Sequence, residues 1–163
     1  MSKKIEIRAE FLEFDSEHEL TKEEQELLEK ARKASSTAYA PYSGFCVGAA
    51  LLLENGKIVT GNNQENAAYP NGLCAERVAA YAASSQFPGI PFKTIAITCS
   101  SKKHPVVDPE SPCGSCRQSL MEYEILFKKN IRVILCGESG KVWILNSIAD
   151  LLPLAFNGKD LKK

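Results

Sequence analysis

The chain reads as an α/β protein, a mixed sheet with helices packed on its faces. Three observations predict this. Short apolar or alternating runs recur between longer stretches of helical periodicity, in the order β-α-β-β-α-β-α-β-β-α. The length of 163 residues suits one domain. With 44% hydrophobic and 25% charged residues, the composition favours a packed core over disorder. We expect residues 1–163 to form a single domain.

Residues 5–11 alternate apolar and polar, which predicts a half-buried strand. Thr21 and Glu24 form a capping box. Leu27, Leu28, Ala31 and Ala34 follow at helical spacing, so a helix should run over about 21–37. Residues 46–53 and 57–62 are strand-like and joined by Asn55-Gly56, a strong hairpin signal. The Ala-rich stretch 74–85 is helical and stops at Phe87-Pro88-Gly89. Residues 93–99 form a strand, and a polar loop covers 100–111. A helix over about 113–128 follows, with Pro112 at its first turn. Residues 131–136 and 141–145 are strands joined by four residues, too few for a crossover, so they should pair antiparallel. The helices 74–85 and 113–128 suit crossovers between parallel strands. A short helix is expected at 147–152.

Lys plus Arg equals Asp plus Glu at 20 each. A protein that grips phosphate backbones usually carries a basic excess, so neutrality favours a small substrate over nucleic acid. No apolar run approaches the ~18–20 residues of a membrane span. The first residues lack a signal-peptide core, so we expect a cytoplasmic protein. Thiols stay reduced there, and six cysteines then point to metal or catalysis before disulfides.

Two motifs carry the chemistry. Cys74-Ala75-Glu76-Arg77 and Pro112-Cys113-Gly114-Ser115-Cys116 each open a predicted helix. Cys113 and Cys116, three apart, can share one ion, and Cys74 can complete a trigonal thiolate set. Helix N-termini lower thiol pKa and suit thiolate ligation. Cys74 and Glu76 can serve one centre only if it lies beyond the helix end. Three ligands leave zinc's fourth position open for water. Three thiolates on a divalent ion carry one net negative charge, which works against acidifying that water. Two helix ends and Arg77 offset it, and Glu76 is the candidate base. The competing reading is structural zinc, with Cys99 or His104 as fourth ligand. A Cys-x-Glu paired with Pro-Cys-x-x-Cys favours catalysis, because that pattern marks zinc nucleobase deaminases. His18 reads as solvated, and Cys46, Cys99 and Cys136 as small core residues.

From about Ala31 to Phe156 the chain resembles the cytidine deaminases, the tetrameric free-nucleoside family. Its landmarks are Tyr39-Ala40-Pro41-Tyr42-Ser43-Gly44-Phe45, Val47-Gly48-Ala49-Ala50, and Gly61-Asn62-Asn63-Gln64-Glu65-Asn66-Ala67-Ala68-Tyr69. The two cysteine motifs, extended by Arg117-Gln118, and Leu151-Leu152-Pro153-Leu154-Ala155-Phe156 complete it. The resemblance implies a three-layer α/β/α fold with a mixed five-stranded sheet whose last two strands are an antiparallel hairpin. It implies one Zn²⁺ per chain on Cys74, Cys113 and Cys116, with Glu76 as proton shuttle. It places Asn63 and Glu65 on the ribose 3′-hydroxyl, Phe45 near base and sugar, and the Ala75 N–H on the pyrimidine O2. It sends Ala67, Tyr69 and Phe156 to a neighbouring subunit's site in a homotetramer, and sets Arg77 and Arg117 to damp thiolate charge. Without the motif, Asn63 and Glu65 would read as solvated loop polarity, and Phe45 as core. Three features depart from the family. Cys46 stands where proline is frequent, the loop 100–111 is long, and residues 1–20 have no counterpart. The loop, with Lys102, Lys103, His104 and Asp108, can alter the rim of the site or a subunit contact. That N-terminal extension can add an edge strand or pair with another subunit.

The expected reaction is hydrolytic deamination of cytidine and 2′-deoxycytidine to the uridines, with ammonia released, a pyrimidine salvage step. A deaminase of a cytosine-nucleoside antibiotic of the blasticidin S type shares the zinc chemistry and differs in pocket lining. A structural-zinc module is the rival that is not an enzyme.

Overall fold

The computed structural model describes residues 2–161. Six strands form one sheet: β1 (Leu12–Phe14), β2 (Phe45–Leu53), β3 (Ile58–Asn62), β4 (Phe92–Ser101), β5 (Arg132–Cys136) and β6 (Val142–Leu145). Their order is β1-β6-β5-β4-β2-β3. Only β4 and β5 pair parallel; the other neighbours in the sheet are antiparallel. Three α-helices, α1 (Lys22–Ser35), α2 (Ala75–Gln86) and α3 (Gly114–Phe127), complete the frame.

The helices lie in two layers. On one face Leu27, Leu28 and Ala31 of α1 pack against Ala50, Leu52, Ala96, Ile134 and Ile144. On the other, Ala79, Ala80, Leu120 and Met121 of α2 and α3 pack against Ala49, Leu51, Ile95, Val133 and Leu135. Successive residues of β2, β4 and β5 therefore enter opposite cores. This is why residues 49–53 of β2 and 133–136 of β5 read as unbroken apolar runs: both faces are covered.

The local signals act as expected at most element ends. Thr21 and Glu24 cap α1 reciprocally, with the Glu24 N–H on the Thr21 hydroxyl at 3.3 Å. Gly56 turns the β2–β3 hairpin with φ +79° and donates to the Leu53 carbonyl at 2.9 Å. The last two strands form the expected antiparallel hairpin. The connection through α3 joins the parallel pair β4 and β5. Residues Ile148–Leu151 are a 3₁₀ turn.

Three details differ. The expected strand at 5–11 instead lies at Leu12–Phe14, with Leu12 opposite Ile144. β6 ends at Leu145, opposite Phe11, so residues before 11 run past the end of their partner and have no ladder to join. This short β1 makes the sheet six-stranded rather than five-stranded. Pro112 lies before α3 rather than in its first turn, because Cys113 is the N-cap. Among the described residues no helix is long and apolar enough to cross a membrane.

Candidate active site

Two helix starts, the strands β2 and β4 and the loops around Tyr42, Gln64 and Glu110 converge on a cavity of about 720 Å³. The start of α2 is set by close packing on β3. A Cβ at Gly61 would lie 2.5 Å from both the Ala75 carbonyl and the Ala79 nitrogen, so glycine lets the helix backbone rest on the strand. Cys74 is the N-cap of α2 and Cys113 that of α3, both extended, and neither helix has a side-chain cap bond. Each cysteine thus sits at the positive end of a helix dipole. Cys116 lies one turn into α3 and is fully buried.

The three sulfurs come together. Cys74 Sγ is 3.8 Å from Cys113 Sγ, and Cys113 Sγ is 3.5 Å from Cys116 Sγ. All three lie within 4.8 Å of one another, a spacing that one metal ion can span. Their charge chemistry fits a cation. Hydrogen bonds from the Cys116 thiol and Arg77 favour the Cys74 thiolate, pulling its pKa to about 5, against burial. The same anion, together with burial, pushes the Cys116 thiol well up. Three thiolates this close repel one another, and a divalent ion removes the conflict. Neither Cys99 nor His104 belongs to this group among the described residues. Cys99 lies in the cavity wall, where burial pushes its thiol up to about 12.

Glu76, in the first turn of α2, is 4% exposed and lines the cavity. Burial raises its carboxyl pKa, helped by the neighbouring Cys74. A buried carboxyl held above its usual range can both take and give protons nearer neutrality. Cys74 and Glu76 meet one centre because Cys74 caps the helix rather than lying on its face. Ala75, between them, is fully buried. Arg77 reaches Cys74 Sγ at 3.8 Å. Arg117 donates to the Pro112 carbonyl at 2.7 Å and to the Leu151 carbonyl at 2.9 Å. It braces the loop before Cys113 against the tail.

Phe45, Asn63 and Glu65 line the opposite wall. The Asn63 amide straps this wall to β2, accepting from the Val47 N–H at 2.7 Å and donating to the Phe45 carbonyl at 2.9 Å. Glu65 accepts from the Tyr42 N–H at 2.8 Å and the Ser43 N–H at 3.3 Å. The Ser43 hydroxyl and the Tyr42 N–H hold its carboxyl below the usual carboxylate range. Tyr69 also lines the cavity, 78% exposed, and stands 6.5 Å edge-on from Tyr42. Ala67 is exposed, and Phe156 is 67% exposed on the tail, its carbonyl accepting from Gln118 at 3.0 Å.

Sequence reasoning missed Tyr42, Ser43 and Glu110 as lining residues. The first two lie inside a motif that marked only a loop. Glu110 lies in the long loop 100–111, yet Lys102, Lys103, His104 and Asp108 of that loop are not among the lining residues. Nothing in the residue types distinguishes Glu110 from Asp108. Cys46, expected in the core, is half-buried, whereas Cys99 and Cys136 are buried.

Residues 21–130 match the family described as the cytidine and deoxycytidylate deaminase zinc-binding region. The chain is 38% identical over 146 residues to a cytidine deaminase of Sporosarcina psychrophila, covering 84% of this chain and 93% of that protein. The cytidine deaminase structure from Burkholderia pseudomallei superposes with a TM-score of 0.71 at 40% identity, covering 84% of this chain and 100% of that one. The Mycobacterium tuberculosis cytidine deaminase structure gives 0.61 at 35% identity, covering 81% and 95%.

Proposed function

The chain belongs to the zinc-binding cytidine and deoxycytidylate deaminase family, and from that premise we propose that it hydrolyses cytidine and 2′-deoxycytidine to the uridines in pyrimidine salvage. The three converging sulfurs carry this reading, because two of them and a buried carboxyl line a cavity roomy enough for a nucleoside. We assign Cys74, Cys113 and Cys116 as the ligands of one zinc per chain. When bound there, zinc supplies Lewis-acid activation of water in its open position.

Glu76 does the proton work. It accepts a proton as water adds to C4 of the pyrimidine, and delivers one to N3, which draws electrons from C4. It then takes the remaining water proton from the C4 hydroxyl and passes it to the exocyclic nitrogen, and the C4–N bond breaks with ammonia as leaving group. Water and substrate together balance uridine and ammonia. Arg77 holds positive charge against the thiolates. The Ala75 N–H faces the pyrimidine O2, and Phe45 packs against base and sugar.

Asn63 and Glu65 hold the ribose. A carboxylate offers about four acceptor sites, so the donors of Tyr42 and Ser43 leave room for a sugar hydroxyl. The exposed positions of Ala67, Tyr69 and Phe156 suit a pocket shared between subunits of a homotetramer. We read residues 1–163 as one domain and the protein as a cytoplasmic enzyme of free nucleosides rather than nucleic acid.

The test is a substrate panel. Ultraviolet absorbance should fall on cytidine and deoxycytidine and stay flat on blasticidin S, with activity lost on chelation. Turnover of blasticidin S alone would assign the antibiotic reaction instead. A zinc-loaded chain inert on every cytosine nucleoside would leave only a metal-binding module.

A further inference from the structure

Residues 2–11 join no helix or strand, and every one of them is exposed. They are not loose at the root. β1 fixes Leu12–Phe14 to the sheet edge, Phe11 packs on Trp143 with ring centroids 5.1 Å apart, and Trp143 Nε1 donates to Glu13 at 2.8 Å. The segment is thus an arm anchored at one end, lying outside the family match at 21–130. Its composition is unlike a solvated tail. Ile5, Ile7, Ala9 and Phe11 alternate with Lys4, Glu6, Arg8 and Glu10. Ile5 is 78% exposed and Ile7 52%. A row of exposed apolar side chains on a strand-like segment is a template for pairing.

The charges say with what. In an antiparallel pair of two such arms about a two-fold axis through Ile7, residues directly opposite share a face. Glu6 then meets Arg8 and Lys4 meets Glu10, each twice. Ile7 meets Ile7, and Ile5 meets Ala9. Every charged pair is of opposite sign, and every apolar residue from 5 to 9 faces another. Sliding by two residues one way sets Glu6 against Glu6 and Lys4 against Arg8. Sliding two the other way sets Arg8 against Arg8 and Glu6 against Glu10. Sliding by one sets apolar against charged. Parallel pairing sets each charge against itself. Like charges opposite one another destabilise a strand pair, so one register stands out among its neighbours. Within a single chain Glu6 already pairs with Arg8 at 3.2 Å, as same-face neighbours two apart. Across the axis the four charges form one alternating cluster.

We propose that residues 4–10 pair antiparallel with the same residues of a second copy of this chain, centred on Ile7, and so join two molecules through the segments that lead into β1 of each. The occupant is a second copy because the arm complements itself in both charge and apolar pattern.

Cysteine cross-linking tests this. Opposite residues in an antiparallel pair lie within disulfide reach, whereas residue 3 of one arm lies far from residue 3 of the other. In the full-length zinc-loaded chain, Ile7→Cys should give a disulfide-linked dimer at least about tenfold faster than Lys3→Cys, because pairing raises the effective thiol concentration. The six native cysteines are common to both variants. Adding Glu6→Arg, or separately Arg8→Glu, to Ile7→Cys should lower the rate to the Lys3→Cys level. Mixing those two charge variants should restore it, since each then meets its complement. Equal rates for Ile7→Cys and Lys3→Cys would overturn the proposal. So would indifference of the Ile7→Cys rate to Glu6→Arg. Zinc content should match the parent throughout, because the arm does not line the cavity.

Discussion

At the scale of single residues, two carboxyls in one cavity are pushed in opposite directions by their surroundings. Burial raises Glu76, while the Ser43 hydroxyl and the Tyr42 N–H lower Glu65. The first suits proton transfer, and the second suits a fixed charge that accepts hydrogen bonds. Glu76→Gln keeps shape and hydrogen bonding but cannot carry the proton. It should retain zinc and fold and lose kcat by about 10²–10⁴-fold, read by single-turnover kinetics with metal analysis. Glu65→Gln should raise KM about tenfold or more, the scale of one hydrogen bond to a charged group. Its stability effect has a defined sign. A depressed folded pKa stabilises in full above the ordinary value of 4.5 and loses that effect as pH falls through the lowered value. The difference in urea midpoint between parent and Glu65→Gln should therefore be constant from neutrality to about pH 4.5, and shrink below it. The three clustered cysteines and Glu76 were readable as two motifs because the spacing within each is local. The hydrogen bonds of Arg117 were not, since one partner, the Leu151 carbonyl, lies 34 positions away.

At the scale of elements, the site depends on where two helices begin. The Thr21–Glu24 capping box and the breaker at Phe87-Pro88-Gly89 placed α1 and α2 within two residues of their observed ends, since such signals act on neighbours in the chain. The strand expected at 5–11 shows the opposite case. Its alternation is real, but a strand needs a partner, and β6 stops at Leu145. The close approach of α2 to β3 at Gly61 makes a sharp test. Gly61→Ala would drive a methyl into the Ala75 carbonyl and Ala79 nitrogen and displace the helix start. We expect a loss of about 1–3 kcal/mol by chemical denaturation, and weaker zinc retention under a competing chelator. A variant with unchanged stability and zinc affinity would show that α2 shifts without disturbing Cys74.

At the scale of the whole molecule, the metal ties two helices that share one face of the sheet. Cys74 comes from α2 and Cys113 and Cys116 from α3, 39 positions apart at the nearest sulfur pair. Because the ion binds the folded arrangement, removing it should lower the thermal midpoint as well as abolish turnover. Scanning calorimetry with and without a strong chelator, and after zinc is restored, reads this directly. An unchanged midpoint would mean that packing alone holds the two helix ends together. By itself the sequence determined the α/β class, the approximate ends of the helices and the two cysteine motifs that the fold brings together. Each of those is written in spacings of a few residues, which a local pattern can carry. Only the tertiary structure decided that Glu110, Tyr42 and Ser43 share the cavity, that Arg117 bonds the Pro112 and Leu151 carbonyls, and that the first strand is three residues long. Those outcomes depend on which distant backbone lies alongside, and chain neighbours hold no record of that.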